Sequence, residues 1–102
     1  MRRKTGRLPC RSLSASLFLP QVAKALPVRV LDLSTNGVGV MASEEIEIGE
    51  EVIITWDRPL PIATIPLFAR VSHCTAESAS RFSIGCQFRE PIDWILWEYL
   101  LG

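Results

Sequence analysis

Two groups of residues in this sequence have the chemistry to bind a small anionic ligand. The first group is arginines near the start of the chain, in a segment without Asp or Glu: Arg2, Arg3, Arg7 and Arg11. The second is Asp32 and Ser34, a carboxylate and a hydroxyl followed closely by Gly37. Arginine pairs with phosphate oxygens and with guanine O6 and N7, whereas a carboxylate accepts from guanine N–H donors. These residue types together predict a guanine nucleotide site.

Each group also has a simpler interpretation. A basic terminus is often only a solvated segment, and Asp or Ser near a turn commonly hydrogen-bonds to the local backbone. Because side chains two apart in a strand share a face, we expect Asp32 and Ser34 to point the same way at a strand end. Asn36 and Gly37 tolerate positive φ, and Gly37 should leave the surface above the pair open.

The sequence offers little for catalysis or for a metal site. His73 is the only histidine, and it lies in a strand pattern beside Cys74, where a packed or hydrogen-bonded role is more common than catalysis. Nucleophile, phosphate-loop and metalloprotease motifs are not found. Cys10, Cys74 and Cys86 form neither an even set nor a close metal-binding pair, which favours reduced, inert thiols. We therefore predict no enzyme activity and no bound metal.

The elements that must position these groups are mainly strands. Apolar and polar residues alternate in short segments separated by turn residues, a period typical of half-buried strands. The predicted strands cover residues 12–19, 28–34, 38–43, 51–57, 67–72 and 81–89. Residues 21–26, 44–49, 59–66 and 75–80 are expected to connect them. Because closure removes exposed sheet edges, the pattern predicts an all-β fold, a small antiparallel barrel or sandwich of six strands.

The last residues show a helical rather than a strand period. Pro91 suits the first turn of a short α-helix, and apolar residues follow at helical spacing. Trp94 and Trp97 add a second apolar stripe on the opposite side. Two interpretations stay open: both faces pack within the domain, or the tryptophans contact another protein or a second copy of the chain.

The motifs resemble those of PilZ domains. Residues 3–7 form R-x-x-x-R, residues 32–37 form D-x-S-x-x-G, and residues 82–88 resemble the last strand of that family. The resemblance covers nearly the whole chain and implies one domain with a six-stranded antiparallel β-barrel. Its expected parts are a flexible basic arm (residues 1–11), the barrel (12–90) and a short C-terminal α-helix (91–102).

This resemblance implies a receptor for the bacterial second messenger cyclic di-GMP. Arg3 and Arg7 would clamp guanine edges and phosphates, of one ligand molecule or of two intercalated ones. Asp32 and Ser34 would hold a guanine, and Gly37 would keep the turn open. Arg2 would stack on a base or contact a phosphate. Residues 7–11 also form R-x-x-x-R, so two registers stay open, with Arg11 as a second-rank candidate.

The implied mode of action is regulatory. Ligand binding is expected to order the arm and to signal to a fused or separate effector. Since the family includes the regulatory domain of bacterial cellulose synthases, a glycosyltransferase acting in cellulose biosynthesis and biofilm formation is one candidate effector. The expected location is cytoplasmic, in a free protein or in the cytoplasmic part of an inner-membrane protein. The motif lies against the start of the chain, which favours an excised domain.

Two other functions use the same features differently. A PilZ-like interaction module without ligand would act through the helix that carries Trp94 and Trp97, which also offers a homodimer interface. A small RNA-binding barrel would use the arm together with outward aromatic rings, for which Phe18 and Phe68 are the best candidates. Since such rings are few, no DNA or RNA partner is expected. The longest apolar stretch, residues 60–69, is short and broken by prolines, so no membrane insertion is expected.

Overall fold

The computed structural model describes residues 14–57 and 67–91, together with the backbone of Leu8 and Pro9. All regular structure within these residues is β-strand. The strands are β1 (Leu8–Pro9), β2 (Ser14–Leu19), β3 (Lys24–Leu33), β4 (Gly37–Ala42), β5 (Glu51–Trp56), β6 (Leu67–Ser78) and β7 (Arg81–Phe88). The predicted C-terminal helix, with Trp94 and Trp97, lies outside the described residues. No helix that could cross a membrane occurs in the described part of the chain.

Six of these strands form a closed antiparallel barrel, as predicted. The strand order is β1-β3-β2-β5-β6-β7-β4, and an additional pairing of β3 with β4 closes the ring. β3 pairs first with β2 and then, from Arg29 onward, with β4. The two-residue β1 pairs antiparallel with the end of β3. Closure gives each long strand a partner on both sides, so none of them forms an open sheet edge.

The interior is filled by alternate residues of the six long strands. The largest fully buried side chains are Leu17, Leu33, Ile54, Ile84, Val30, Val38, Val40, Val52, Val71 and Cys86. Among them, Val52 and Ile54 are alternate residues of β5, and Ile84 and Cys86 are alternate residues of β7. Ile46, in the acidic connection between β4 and β5, is also buried and joins the core. That connection therefore contributes an apolar side chain as well as solvated glutamates.

Two strands are longer than the sequence pattern predicted. β3 begins at Lys24 rather than at residue 28, because its first residues pair with β2 and bury Leu26. Pro27 is tolerated there because β4 pairs with β3 only from Arg29 onward. A hydrogen bond from residue 27 to β4 is therefore not required, and proline can lack the N–H. β6 continues to Ser78, so the predicted 75–80 connection shrinks to a turn at residues 79–80.

A β-bulge in β3 reverses the inward and outward alternation of that strand. Val30 pairs with Val40 and Asp32 with Gly39, which leaves Leu31 without a partner in the β4 ladder. Val30 and Leu33 are both fully buried, although strict alternation would turn only one of them inward. The extra residue therefore turns Asp32 away from the core.

A register shift in β6 has the same effect. Val71 pairs with Cys86 and His73 with Gly85, so Ser72 is the extra residue. Val71 is fully buried and Cys74 packs against the core, which leaves the intervening His73 exposed on the outer face. The hydroxyl of Ser72 donates a hydrogen bond of 3.1 Å to the carbonyl oxygen of Gly85 and ties the bulge to β7.

Candidate functional site

The carboxylate of Asp32 lies on the outer surface of the barrel, over Gly39 of the neighbouring strand. A Cβ added at Gly39 would lie 2.9 Å from Asp32 Oδ1 and 3.1 Å from Oδ2, closer than real Cβ contacts. Gly39 stands between the buried Val38 and Val40, so its missing side chain would face outward. Asp32 is half-buried in this position. The absence of a Cβ at position 39 therefore leaves room for the carboxylate to lie against the sheet.

A second glycine continues this surface onto β7. Gly39 pairs directly with Gly85, which lies between the buried Ile84 and Cys86. The imidazole of His73 covers Gly85, where an added Cβ would lie 2.5 Å from Nδ1 and 2.9 Å from Nε2. We call Asp32, Gly39, Gly85 and His73 the glycine-floored row. It runs across β3, β4, β7 and β6 in register and carries a carboxylate and an imidazole over neighbouring positions.

Ser34 holds the turn between β3 and β4. Its hydroxyl accepts hydrogen bonds from the amides of Asn36 (3.3 Å) and Gly37 (3.2 Å), and it lies 3.3 Å from the Gly37 carbonyl oxygen, to which it donates. The Ser34 amide also donates to that carbonyl, at 2.9 Å. The simpler interpretation of the sequence, in which a turn side chain hydrogen-bonds to the local backbone, therefore applies to Ser34.

Two expectations for this turn differ from the structure. Positive φ among the described residues occurs at Ala23 (51°) and Gly49 (94°), so neither Asn36 nor Gly37 uses the left-handed region. The turn is closed by the Ser34 hydroxyl instead. Ser34 and Gly37 are buried, whereas Asp32 is half-buried. β3 ends at Leu33, so the alternation rule that predicted a shared face for Asp32 and Ser34 does not reach Ser34. A ligand contact by Ser34 or Gly37 stays a prediction.

The chain segment before the barrel runs beside Asp32. In the backbone register of β1 and β3, Leu8 pairs with Leu33 and Pro9 with Asp32. These two residues stand in the sequence between the arginines of the predicted arm. The arginines themselves, Arg2, Arg3, Arg7 and Arg11, lie outside the described residues.

Sequence reasoning missed the role of two glycines in this surface, and it did not single out Arg29. Gly39 and Gly85 gave no motif of their own, and their role appears only when the strands are paired. Arg29 is an exposed cation on β3, on the N-terminal side of the bulge, and lines a surface groove with Met41 and Arg81. The alternating strand pattern by itself could have identified Arg29 as outward-facing.

Of the two described thiols, that of Cys86 matches the predicted inert character. Cys86 is fully buried, and this burial raises the pKa of its thiol to about 12, with the neighbouring Cys74 acting in the same direction. Cys86 is therefore a neutral core residue near neutral pH. Within residues 14–57 and 67–91, no group of His, Cys, Asp and Glu side chains is arranged to hold a metal ion.

Solved structures with this fold include a Bacillus subtilis protein and two structures of Escherichia coli YcgR. The Bacillus subtilis inhibitor of motility (MotI/DgrA) superposes with a TM-score of 0.70 at 15% identity, covering 99% of this chain and 50% of that chain. The PilZ domain of Escherichia coli YcgR with c-di-GMP gives 0.67 at 14% identity, covering 99% and 87%. YcgR from Escherichia coli in complex with c-di-GMP gives 0.65 at 15%, covering 99% and 43%.

The chain thus spans half the length of the MotI/DgrA chain and less than half of the YcgR chain in the third structure. At these identities the likeness shows the fold. No curated protein matches the chain in sequence. The model of the PilZ domain family, by contrast, matches residues 1–99. Because that match takes in nearly the whole sequence, including both arginine motifs and D-x-S-x-x-G, the chain belongs to the PilZ domain family.

Proposed function

We propose that this chain is a regulatory domain that binds cyclic di-GMP. The observation that carries the proposal is the Asp32 carboxylate, which a β-bulge turns outward and Gly39 accommodates on the barrel surface. Membership of the PilZ family and the two similar YcgR structures with c-di-GMP support the choice of ligand. The proposed role is binding and signalling rather than catalysis.

Asp32 suits the Watson–Crick edge of guanine. That edge presents the N1–H and N2–H donors side by side, and a carboxylate offers two acceptor oxygens at a matching separation. A bond from a neutral donor to an ionised acceptor is stronger than one between neutral groups. In our proposal Asp32 holds one guanine in this way, and Ser34 and Gly37 contact the same nucleotide from the turn that they close.

The arginines supply the complementary positive charge. The pairing of Leu8 with Leu33 supports their participation, because Leu8 directly follows Arg7 in sequence and β3 carries Asp32. Arg7 belongs to both possible R-x-x-x-R registers, one with Arg3 and the other with Arg11. We propose the first register, with bidentate contacts to phosphate oxygens and to guanine O6 and N7. Arg2 would add a stacking or phosphate contact.

The proposed mechanism is an ordering of the arm. Without ligand the neighbouring cations repel one another, whereas a dianionic ligand neutralises them and forms charge-assisted hydrogen bonds. The arm would then pack over the glycine-floored row and move whatever is joined or bound to it. A fused or separate effector in the cytoplasm, for example a cellulose synthase, is the proposed recipient of this signal.

Isothermal titration calorimetry with cyclic di-GMP tests this function. We expect the wild type to bind, and Asp32→Ala and Arg7→Ala each to weaken binding by about 1.5–3 kcal/mol, the value of a hydrogen bond to a charged group. Lys24→Ala is the matched surface control, because Lys24 lies at the opposite end of β3 and pairs with Glu44 at 2.7 Å. Its affinity should equal that of the wild type.

The same titration separates the remaining alternatives. A wild type that releases no heat at high micromolar protein would overturn the receptor proposal and leave the ligand-free interaction module. Arg3→Ala and Arg11→Ala identify the register, since only the arginine that pairs with Arg7 should affect binding strongly. Intercalated ligand would appear as a stoichiometry of two cyclic di-GMP molecules per chain.

A further inference from the structure

His73 has a position in the glycine-floored row that packing alone does not explain. It is exposed, yet its imidazole lies against the backbone at Gly85, in the space that a Cβ at that position would occupy. A solvent-facing histidine on a strand has no need of a glycine beside it. The ring is held low on the sheet, in the same outward layer as the Asp32 carboxylate.

Asp32 and His73 reach this layer by the same device. Each follows the extra residue of a β-bulge, Leu31 in β3 and Ser72 in β6, and each faces a glycine across its own strand pair. Gly39 and Gly85 are themselves direct partners. Since outward Cβ positions of opposed residues are about 4.5–5.5 Å apart, the carboxylate and the imidazole lie over adjacent sites. Bulges commonly re-aim side chains at functional sites.

Side by side, these two groups match the whole Watson–Crick edge of guanine. The edge runs from the O6 acceptor to the N1–H donor and then to the N2–H donor. Two carboxylate oxygens accept from the two donors. The proposed arginine contact reaches O6 from the N7 side, so the O6 lone pair beside N1–H needs a further donor next to the carboxylate. An imidazole has at least one N–H donor in either protonation state.

We propose that His73 is a specificity-determining residue that donates a hydrogen bond to O6 of the guanine held by Asp32. The inference rests on the proposed function and deepens it by assigning the recognition of the 6-position. Adenine has an amino group in place of O6, so the N–H of His73 loses its acceptor there, which disfavours adenine nucleotides. Asp32 recognises positions 1 and 2 of the base, and His73 recognises position 6.

Titration of cyclic di-GMP into His73 variants measures this contact. His73→Ala should bind about three- to tenfold more weakly than the wild type, the effect of one neutral hydrogen bond. His73→Gln retains an N–H donor and should recover most of the affinity. Because His73 is exposed, neither substitution should change the melting temperature of the free protein, and Lys24→Ala again serves as the control.

Gly85 provides a second, independent variant. In the wild-type background, Gly85→Ala should displace the imidazole and lower affinity about as much as His73→Ala does. In the His73→Ala background the space is empty, so Gly85→Ala should cost no further affinity. This non-additivity is the result expected when both changes act through one side chain.

Cyclic di-IMP, which keeps O6 and N1–H but lacks the 2-amino group, assigns each contact to its position. His73→Ala should weaken both ligands by the same factor, whereas Asp32→Ala should reduce the preference for cyclic di-GMP over cyclic di-IMP. Equal binding of cyclic di-GMP by His73→Ala and wild type would overturn the role of His73 and leave the receptor function intact. A His73→Gln variant as weak as His73→Ala would overturn the donor role. Failure of the wild type to bind would overturn the receptor function itself.

Discussion

At the residue scale, the positions of the Asp32 and His73 side chains depend on neighbouring residues that have no side chain. Asp32 and His73 lie against the sheet because the residues opposite them, Gly39 and Gly85, have no Cβ. The obstructing atoms are the ends of flexible side chains, so a methyl group at either glycine would displace the functional group more readily than the backbone. A small substitution outside the D-x-S-x-x-G motif should therefore affect ligand binding.

Gly39→Ala tests this dependence at Asp32. We expect the affinity for cyclic di-GMP to fall about tenfold, because the added Cβ would come within 2.9 Å of Oδ1 and must push the carboxylate from its position. Calorimetry measures the loss, and the melting temperature checks that the barrel is intact. Gly39→Ala in the Asp32→Ala background should change nothing further; an equal additional loss there would show that Gly39 acts by another route.

At the scale of elements, the β3–β4 hairpin depends on one buried hydroxyl. Ser34 accepts from two backbone amides of the turn and takes the place of a positive-φ residue. The bulge at Leu31 lies just before this turn and determines which way Asp32 faces. The hairpin therefore combines a side-chain cap with a bulge, and both are needed to present the carboxylate beside a stable turn.

Ser34→Ala should destabilise the free protein by about 1–3 kcal/mol, because the buried amide of Gly37 loses its hydrogen-bond acceptor. Urea unfolding, followed by circular dichroism, gives the free energy of unfolding. Ser43→Ala is the matched control, since Ser43 is exposed just after β4, and its effect should stay within about 0.5 kcal/mol. Equal stabilities of the two variants would contradict the capping role.

At the scale of the whole molecule, the closed barrel and its core supply the rigidity that the surface row requires. β5 lies between β2 and β6, and its inward residue Ile54 is fully buried. The surface ion pairs are of a different kind. Lys24 and Glu44 meet at 2.7 Å but keep about half of each side chain exposed, which limits their contribution through solvent screening.

Ile54→Ala should therefore lower the free energy of unfolding by about 2–5 kcal/mol through lost burial and a residual cavity. Lys24→Ala should lower it by less than about 1 kcal/mol. Urea denaturation of both variants measures the difference. A loss at Lys24 that matches the loss at Ile54 would show that surface charge, and not the core, dominates the stability of this barrel.

Local patterns along the chain were enough to predict the family and the six-strand count. These properties follow from local periodicity, turn residues and two short motifs, all of which are written along the chain. The D-x-S-x-x-G motif also singled out Asp32, whose contact with a ligand stays a prediction. The ends of two strands were predicted less accurately. β3 and β6 are both longer than predicted, because pairing with neighbouring strands extends them beyond the residues that alternate.

The direction in which Asp32 and His73 face follows from strand pairing and could not be predicted from local patterns. Strict alternation after Val28 and Val30 would turn Asp32 toward the core, and no sequence signal marks Leu31 as the extra residue that prevents this. Likewise, His73 resembled an ordinary strand histidine until its pairing with Gly85 was known. The physical reason is that register joins residues that are distant in sequence, such as Gly39 and Gly85, and a one-residue bulge moves every later side chain to the other face.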